Sequence, residues 1–192
     1  CTMRGVCGKT ADVANLQDLL IYTLKGISVY TLKARQAKIA TPEANKFIME
    51  GLFATITNAN FDKDHFVVLI KQALALRAEV KTALEKVGVE AEVIHDSALW
   101  FADNAAAFEE KAATIGILET ENEDVRSLRE LLTYGIKGMA AYAEHAFTLG
   151  YKDDAIFAFM QKALVATTDD KLSADELVAL VMECGKYGVD VM

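Results

Sequence analysis

The chain of 192 residues is acidic, with 20 Lys and Arg against 28 Asp and Glu for a net charge of −8, and 53% of its residues are apolar. That composition is far from the disorder signature, and at ~100–200 residues per domain it accommodates one domain or two small ones around a sizeable core. The acidic balance argues against a nucleic-acid module, which needs clustered Lys and Arg to neutralise phosphates, and no apolar run approaches the ~18 residues of a membrane span. Three cysteines make no disulfide scaffold, and without a basic, apolar leader the expected compartment is a reduced cytoplasm. The first residue is Cys1 and the helical pattern continues to Met192, so the sequence reads as a fragment cut from a longer protein.

A single proline, no Asn-Gly or Asp-Gly hairpin signal and apolar residues at 3.6 spacing predict an all-α fold. Thr10 is placed to cap a first helix running to about Ile39, with Leu16, Leu19, Leu20, Leu24 and Ile27 on one stripe. Thr41 caps a second, with Pro42 at the first position, where its missing N–H costs nothing. Asp62 caps a third that ends before Gly88. Asp96 opens a fourth through Leu99, Trp100 and Phe108 to Gly116. Thr120 and Glu123 read as a capping box for the fifth, which stops at Gly150. Asp153 caps the sixth, and Ser173 with Glu176 forms a second capping box for the seventh.

The chain repeats itself. Leu19-Leu20-Ile21-Tyr22-Thr23-Leu24-Lys25-Gly26 lies over Leu131-Leu132-Thr133-Tyr134-Gly135-Ile136-Lys137-Gly138, 112 positions on. After a slip of one residue, Met49 matches Met160, Thr57 matches Thr168, Asp64 matches Asp175 and Val67 matches Val178. The economical reading is two tandem three-helix bundles joined by a connecting helix, with an extended solenoid as the alternative. The expected organisation is a cysteine-bearing loop over residues 1–9, a first bundle over 10–88, a connector over 89–118 and a second bundle over 119–192. Tyr22, Gly26 and Tyr30 share one helix face, as do Tyr134, Gly138 and Tyr142. A mid-helix glycine costs ~1 kcal/mol against alanine, so its recurrence predicts a close helix crossing beneath the tyrosines, in equivalent environments, with a ligand-facing notch as the alternative.

The chemistry-bearing stretch is Cys1-Thr2-Met3-Arg4-Gly5-Val6-Cys7-Gly8-Lys9-Thr10. Two thiols share a glycine-containing loop before a helix, and thiolates ligate zinc and iron–sulfur clusters. Arg4, Lys9 and the helix N-terminus would favour thiolate charge. By spacing alone, two cysteines cannot fill a four-coordinate site, and two unligated thiols are the plainer reading. Cys184 reads as a small buried residue. His65, His95 and His145 fall in no metal-binding spacing. The acidic pairs Glu109-Glu110, Asp153-Asp154 and Asp169-Asp170 read as caps and solvated surface.

Cys1-x5-Cys7-Gly8-Lys9-Thr10-Ala11, Asn15-Leu16-Gln17-Asp18-Leu19-Leu20-Ile21 and Leu24-Lys25-Gly26 together resemble the start of the hybrid-cluster (prismane) proteins, a family of hydroxylamine reductases. Thr55-Ile56-Thr57-Asn58-Ala59-Asn60-Phe61-Asp62 is similar to the family's loop after its second helix. Tyr134-Gly135-Ile136-Lys137-Gly138-Met139-Ala140-Ala141-Tyr142-Ala143-Glu144-His145-Ala146 is again close. The resemblance covers all 192 residues and corresponds to the family's N-terminal helical region, roughly a third of a family chain.

The resemblance implies that Cys1 and Cys7 match the last two cysteines of a motif that holds an iron–sulfur cluster, here a 4Fe–4S cubane, whose first C-x2-C pair is not in this sequence. It implies a parent protein that reduces hydroxylamine to ammonia and water with two electrons and two protons. The cubane passes electrons to a hybrid iron–sulfur–oxygen cluster held by two later α/β domains, and nitrosative-stress defence is the attributed role. The fragment alone is expected to be inactive. Its partners would be those missing domains, a redox protein for the parent, and a second copy of the fragment in a homodimer. The competing reading is a helical scaffold or interaction module without chemistry.

Overall fold

The computed structural model describes residues 7–56, 58–93 and 95–192, and these are all-helical, without a strand among them. The order is α1 (Ala11–Gln36), α2 (Pro42–Ala54), α3 (Lys63–Lys86), a 3-10 turn (Asp96–Ala98), α4 (Ala105–Ala112), a second 3-10 turn (Ile117–Glu119), α5 (Glu123–Thr148), α6 (Asp154–Ala166) and α7 (Ala174–Asp190).

Local chemistry sets most of the helix starts. The Asp62 carboxylate accepts from the backbone N–H groups of Asp64 and His65, and Asp153 accepts from that of Ala155. Ser173 and Glu176 close a reciprocal capping box at the head of α7. Each such cap satisfies N–H groups that the helix itself leaves orphaned. Thr10 and Thr41 sit at the expected N-cap positions but make no capping bond. α1 ends at Gln36, and Lys38 follows in the left-handed region at φ 59°.

Two starts differ from expectation. Asp96 opens only a 3-10 turn, because its carboxylate is held by the Tyr22 hydroxyl at 2.6 Å and the Lys111 ammonium at 2.8 Å. The fourth α-helix therefore begins at Asn104, whose side chain accepts from the Ala107 N–H, and residues 89–118 are two short turns flanking a two-turn helix rather than one connecting helix. The fifth starts from Asn122, not Thr120. The Thr120 hydroxyl instead accepts from the guanidinium of Arg129 at 3.4 Å, and its carbonyl from that of Arg126 at 3.0 Å.

The main helix pairings are the same when the two repeats are exchanged. α1 lies on α3 as α5 lies on α7, and across the repeats α6 packs on α1 as α2 packs on α5. The buried residues of both repeats join in one cluster, from Leu16, Leu20, Leu24 and Ile27 of α1 to Ile136, Met139 and Ala140 of α5 and Phe159, Met160 and Leu164 of α6. Fully burying such side chains contributes ~1.5–3 kcal/mol each. At one end, Arg35 of α1 donates to Gln161 at 2.8 Å and Asp154 at 2.5 Å on α6, and to Asn45 of α2 at 3.1 Å. The fully buried Gln161 amide donates back to Asn45 at 2.7 Å, so a polar clamp fixes three helices.

The two Tyr-Gly-Tyr faces do not share an environment. Residues 95–101 lie across α1 so closely that a Cβ at Gly26 would overlap the Ser97 carbonyl oxygen. Tyr22 and Tyr30 are 7% and 3% exposed there, with the Tyr30 hydroxyl donating to the Ala98 carbonyl. Arg77 of α3 clamps the segment from the other side, donating to the carbonyls of Ser97 at 2.5 Å and Trp100 at 2.6 Å. Nothing lies within 4 Å of a Cβ at Gly138, and Tyr134 and Tyr142 are 60% and 54% exposed. Gly26 thus permits a close crossing, by a loop rather than a helix, while Gly138 stands open. No described helix is long and apolar enough to cross a membrane.

Candidate functional site

Cys7 is a free, exposed thiol just ahead of α1, followed by Gly8 at φ +92°, a left-handed conformation that glycine adopts without steric cost. Cys1 and Arg4 lie outside the described residues. The loop is tied down by Lys9, whose ammonium donates to the Gln17 side chain at 2.6 Å and lies 5.9 Å from the Phe61 ring centroid. Gln17 is buried and passes the link on, donating through Nε2 to the Asn60 carbonyl at 3.1 Å. The Lys9–Gln17–Asn60 chain therefore seats the cysteine loop against the α2–α3 connection, where Asn58 takes φ 66° and Asn60 bonds the His65 ring at 2.7 Å. Lys9 is the residue sequence reasoning placed near the thiols for its charge, and its ammonium is committed to Gln17.

The other repeat makes the same tie with different groups. Arg129, 112 positions after Gln17, donates to the Asp169 carbonyl at 3.0 Å and the Asp170 carboxylate at 2.9 Å on the α6–α7 connection. Its Nε is buried without a partner among the described residues.

Between α1 and α5 lies a cleft of about 360 Å³ that sequence reasoning did not single out. The repeat brings matched residues to its two walls: Asp18 and Glu130, Tyr22 and Tyr134, Lys25 and Lys137. Among the described residues, no carboxylate lies within ion-pair distance of Lys25 or Lys137; the Lys137 ammonium donates to the Thr55 carbonyl at 3.4 Å and lies 5.3 Å from the Tyr134 ring centroid. Burial pushes Lys25 down to about 8, against the pull of Glu130 and Asp18. Burial likewise lowers Lys137 and raises Asp18. At the rim, Asp96 is held below the usual carboxylate range by the Lys111 ammonium and the Tyr22 hydroxyl, while burial lowers His95. Lys111 also lies 5.0 Å from the Tyr22 ring centroid. The lining carries five Lys or Arg and four Asp or Glu, so it is charge-balanced and selects neither sign. A lysine whose proton is labile near neutral pH can exchange it with a bound group. The matched acids and lysines at a fixed 112-residue offset were the available sequence signal.

Cys184 is buried on α7, 6% exposed, as expected, and burial raises its thiol. Asp153 caps α6, Asp154 pairs with Arg35, Asp170 pairs with Arg129 and Glu109 pairs with Lys63 at 2.7 Å, so the acidic pairs serve structure. Among the described residues, no group of three His, Cys, Asp or Glu is placed to hold a metal ion. One exposed thiol suits a thiolate ligand; with Cys1 the loop offers two of the four a cubane needs.

All of residues 1–192 match the Prismane/CO dehydrogenase family. The chain is 67% identical, over its whole length, to a protein named hydroxylamine reductase from Desulfitobacterium hafniense (strain Y51). It is 62% identical to one so named from Clostridium novyi (strain NT), and 58% to one from Thermoanaerobacter pseudethanolicus (strain ATCC 33223 / 39E). In each case the match covers all of this chain and 35% of the relative, so the chain spans about a third of the length of the curated relatives it matches.

Proposed function

The chain belongs to the Prismane/CO dehydrogenase family, and from that premise we propose that it is the N-terminal helical region of a cytoplasmic hydroxylamine reductase, in which Cys1 and Cys7 supply two of the four ligands of a 4Fe–4S cluster. The observation that carries the reading is identity of 67% over the whole chain to a protein bearing that name. The parent reduces hydroxylamine to ammonia and water with two electrons and two protons. Its substrate cluster belongs to the part of the parent beyond this chain, whose own contribution to the redox chemistry is the Cys1 and Cys7 thiols.

When bound, a cubane supplies one-electron transfer. This chain's residues hold and shape its seat. Cys7 presents an exposed thiol, Gly8 turns the backbone away at φ +92°, and the Lys9–Gln17–Asn60 chain fixes where the loop enters α1. The positive charge that Lys9 and Arg4 bring to this stretch of sequence would raise the potential of a cluster held there. The partners are the remainder of the same polypeptide and an electron-donating protein.

The test supplies reduced viologen and hydroxylamine and follows ammonia. The complete protein should turn over, and the 192-residue chain should not. Turnover by the metal-free chain, or inactivity of the cluster-loaded complete protein, contradicts the reading.

A further inference from the structure

The second repeat lacks a cover that the first repeat has. In the first, the chain leaving α3 comes back over α1 as residues 95–101, with a backbone carbonyl against Gly26 and hydroxyl bonds from Tyr22 and Tyr30. In the second, the matching face of α5 and α7 is an open, predominantly apolar groove of about 370 Å³, lined by Leu131, Gly138, Tyr142, Val181, Gly188 and Val189. Leu131, Tyr142 and Val189 are each more than half exposed. Gly138 stands where Gly26 stands, with helix geometry that tolerates alanine and no neighbour to require glycine. Gly188 replaces the clamping Arg77, 111 positions earlier, which widens the groove further.

We infer that this groove is the seat of the polypeptide segment that follows α7 in the complete protein, which crosses Gly138 by its backbone and accepts hydrogen bonds from Tyr134 and Tyr142 as residues 95–101 do from Tyr22 and Tyr30. The inference rests on the reading above that residues 1–192 are part of a longer chain, about a third of its length. Val189 and Met192 line the groove at and just past the end of α7, so the chain that follows starts beside the groove itself. Covering a continuous apolar face removes surface that a soluble protein rarely leaves bare.

Three chain lengths test it: residues 1–192, the same chain extended by as many natural residues as the segment 89–112 contains, and the complete protein. Tyr142 should be nitrated by tetranitromethane in the first and protected in the other two. Gly138→Ala should raise the thermal midpoint of the 192-residue chain by about 2–4 °C, since alanine favours an open helix site, and lower it in the extended and complete proteins. Gly26→Ala should lower the midpoint in all three. The inference fails if Tyr142 is equally reactive in all three lengths, or protected only in the complete protein. It also fails if Gly138→Ala raises every midpoint. Protection of Tyr142 in a dimer of the 192-residue chain, with that dimer lost in Gly138→Ala and no protection added by the extension, would assign the groove to a second copy instead. None of these readouts depends on iron or turnover, so failure of the reductase reading leaves a separate signature.

Discussion

The Cys184 sulfur lies 2.7 Å from the position a Cβ on Gly135 would occupy, so the thiol of α7 fills the notch that glycine leaves in α5. In the first repeat the matching positions are Thr23 and Ala73, with the bulk on the other helix. The two repeats thus reach the same α1–α3 and α5–α7 pairing with volume exchanged across the contact.

Gly135→Ala should therefore destabilise the fold by about 1–3 kcal/mol, the usual overpacking cost, even though alanine is the better helix former. Cys184→Ala should make room, and the pair should be non-additive by 0.5 kcal/mol or more, on the order of contacting residues. Urea denaturation of the two single variants and the double variant reads this directly. Additive effects would mean the sulfur is not what fills the notch.

Arg77 should prove the main fastener of the segment over α1. Arg77→Leu strips the charged donor from the Ser97 and Trp100 carbonyls, and hydrogen bonds to charged groups are worth about 1.5–3 kcal/mol. Trp100 is the chain's one tryptophan. Its emission should move to longer wavelength in Arg77→Leu and in Gly26→Ala, because both release the segment into water. Unchanged emission in both would show that the segment is held elsewhere.

How far the fold was legible follows from the range of the interactions. α3, α6 and α7 were readable at their starts because Asp62, Asp153 and Ser173 with Glu176 act within three residues of their own position. Residues 89–118 were not, because partners 20, 68 and 74 positions away hold Ser97, Ala98 and Asp96 and override a helical pattern. Thr120 and Asn122 are both competent caps, and only the Arg126 and Arg129 contacts to Thr120 decide between them. At the candidate site, the motif pointed to Cys7, which the structure shows as an exposed thiol ahead of α1. The Lys9–Gln17–Asn60 tie was not legible, since it joins a loop to a connection 43 residues beyond Gln17. The α1–α5 cleft needed the spatial pairing of repeats that the 112-residue offset only hinted at.

The cleft lysine gives a pH signature. Lys25 titrates near 8 in the folded chain against an ordinary 10.5. Between those values the unfolded chain holds a proton that the folded chain has released, so stability rises with pH across that window. The stability of the unaltered chain minus that of Lys25→Met should be flat below pH 8 and increase from pH 8 to 10.5. Denaturant titrations at fixed pH steps measure the difference; a flat or falling difference across the window would contradict a half-buried, proton-poor Lys25.

The central claim is that Cys1 and Cys7 hold a cluster in the complete protein, and iron analysis of Cys7→Ser tests it most directly. The purified, anaerobically reconstituted complete protein should lose about four irons per chain on Cys7→Ser, the content of one cubane. It should also lose the corresponding part of its visible absorption and most of its viologen-driven hydroxylamine reduction, with α-helical circular dichroism unchanged. Cys184→Ser, altering a thiol buried on α7, should retain its iron. Full iron and an unaltered spectrum in both Cys7→Ser and Cys1→Ser would contradict the account.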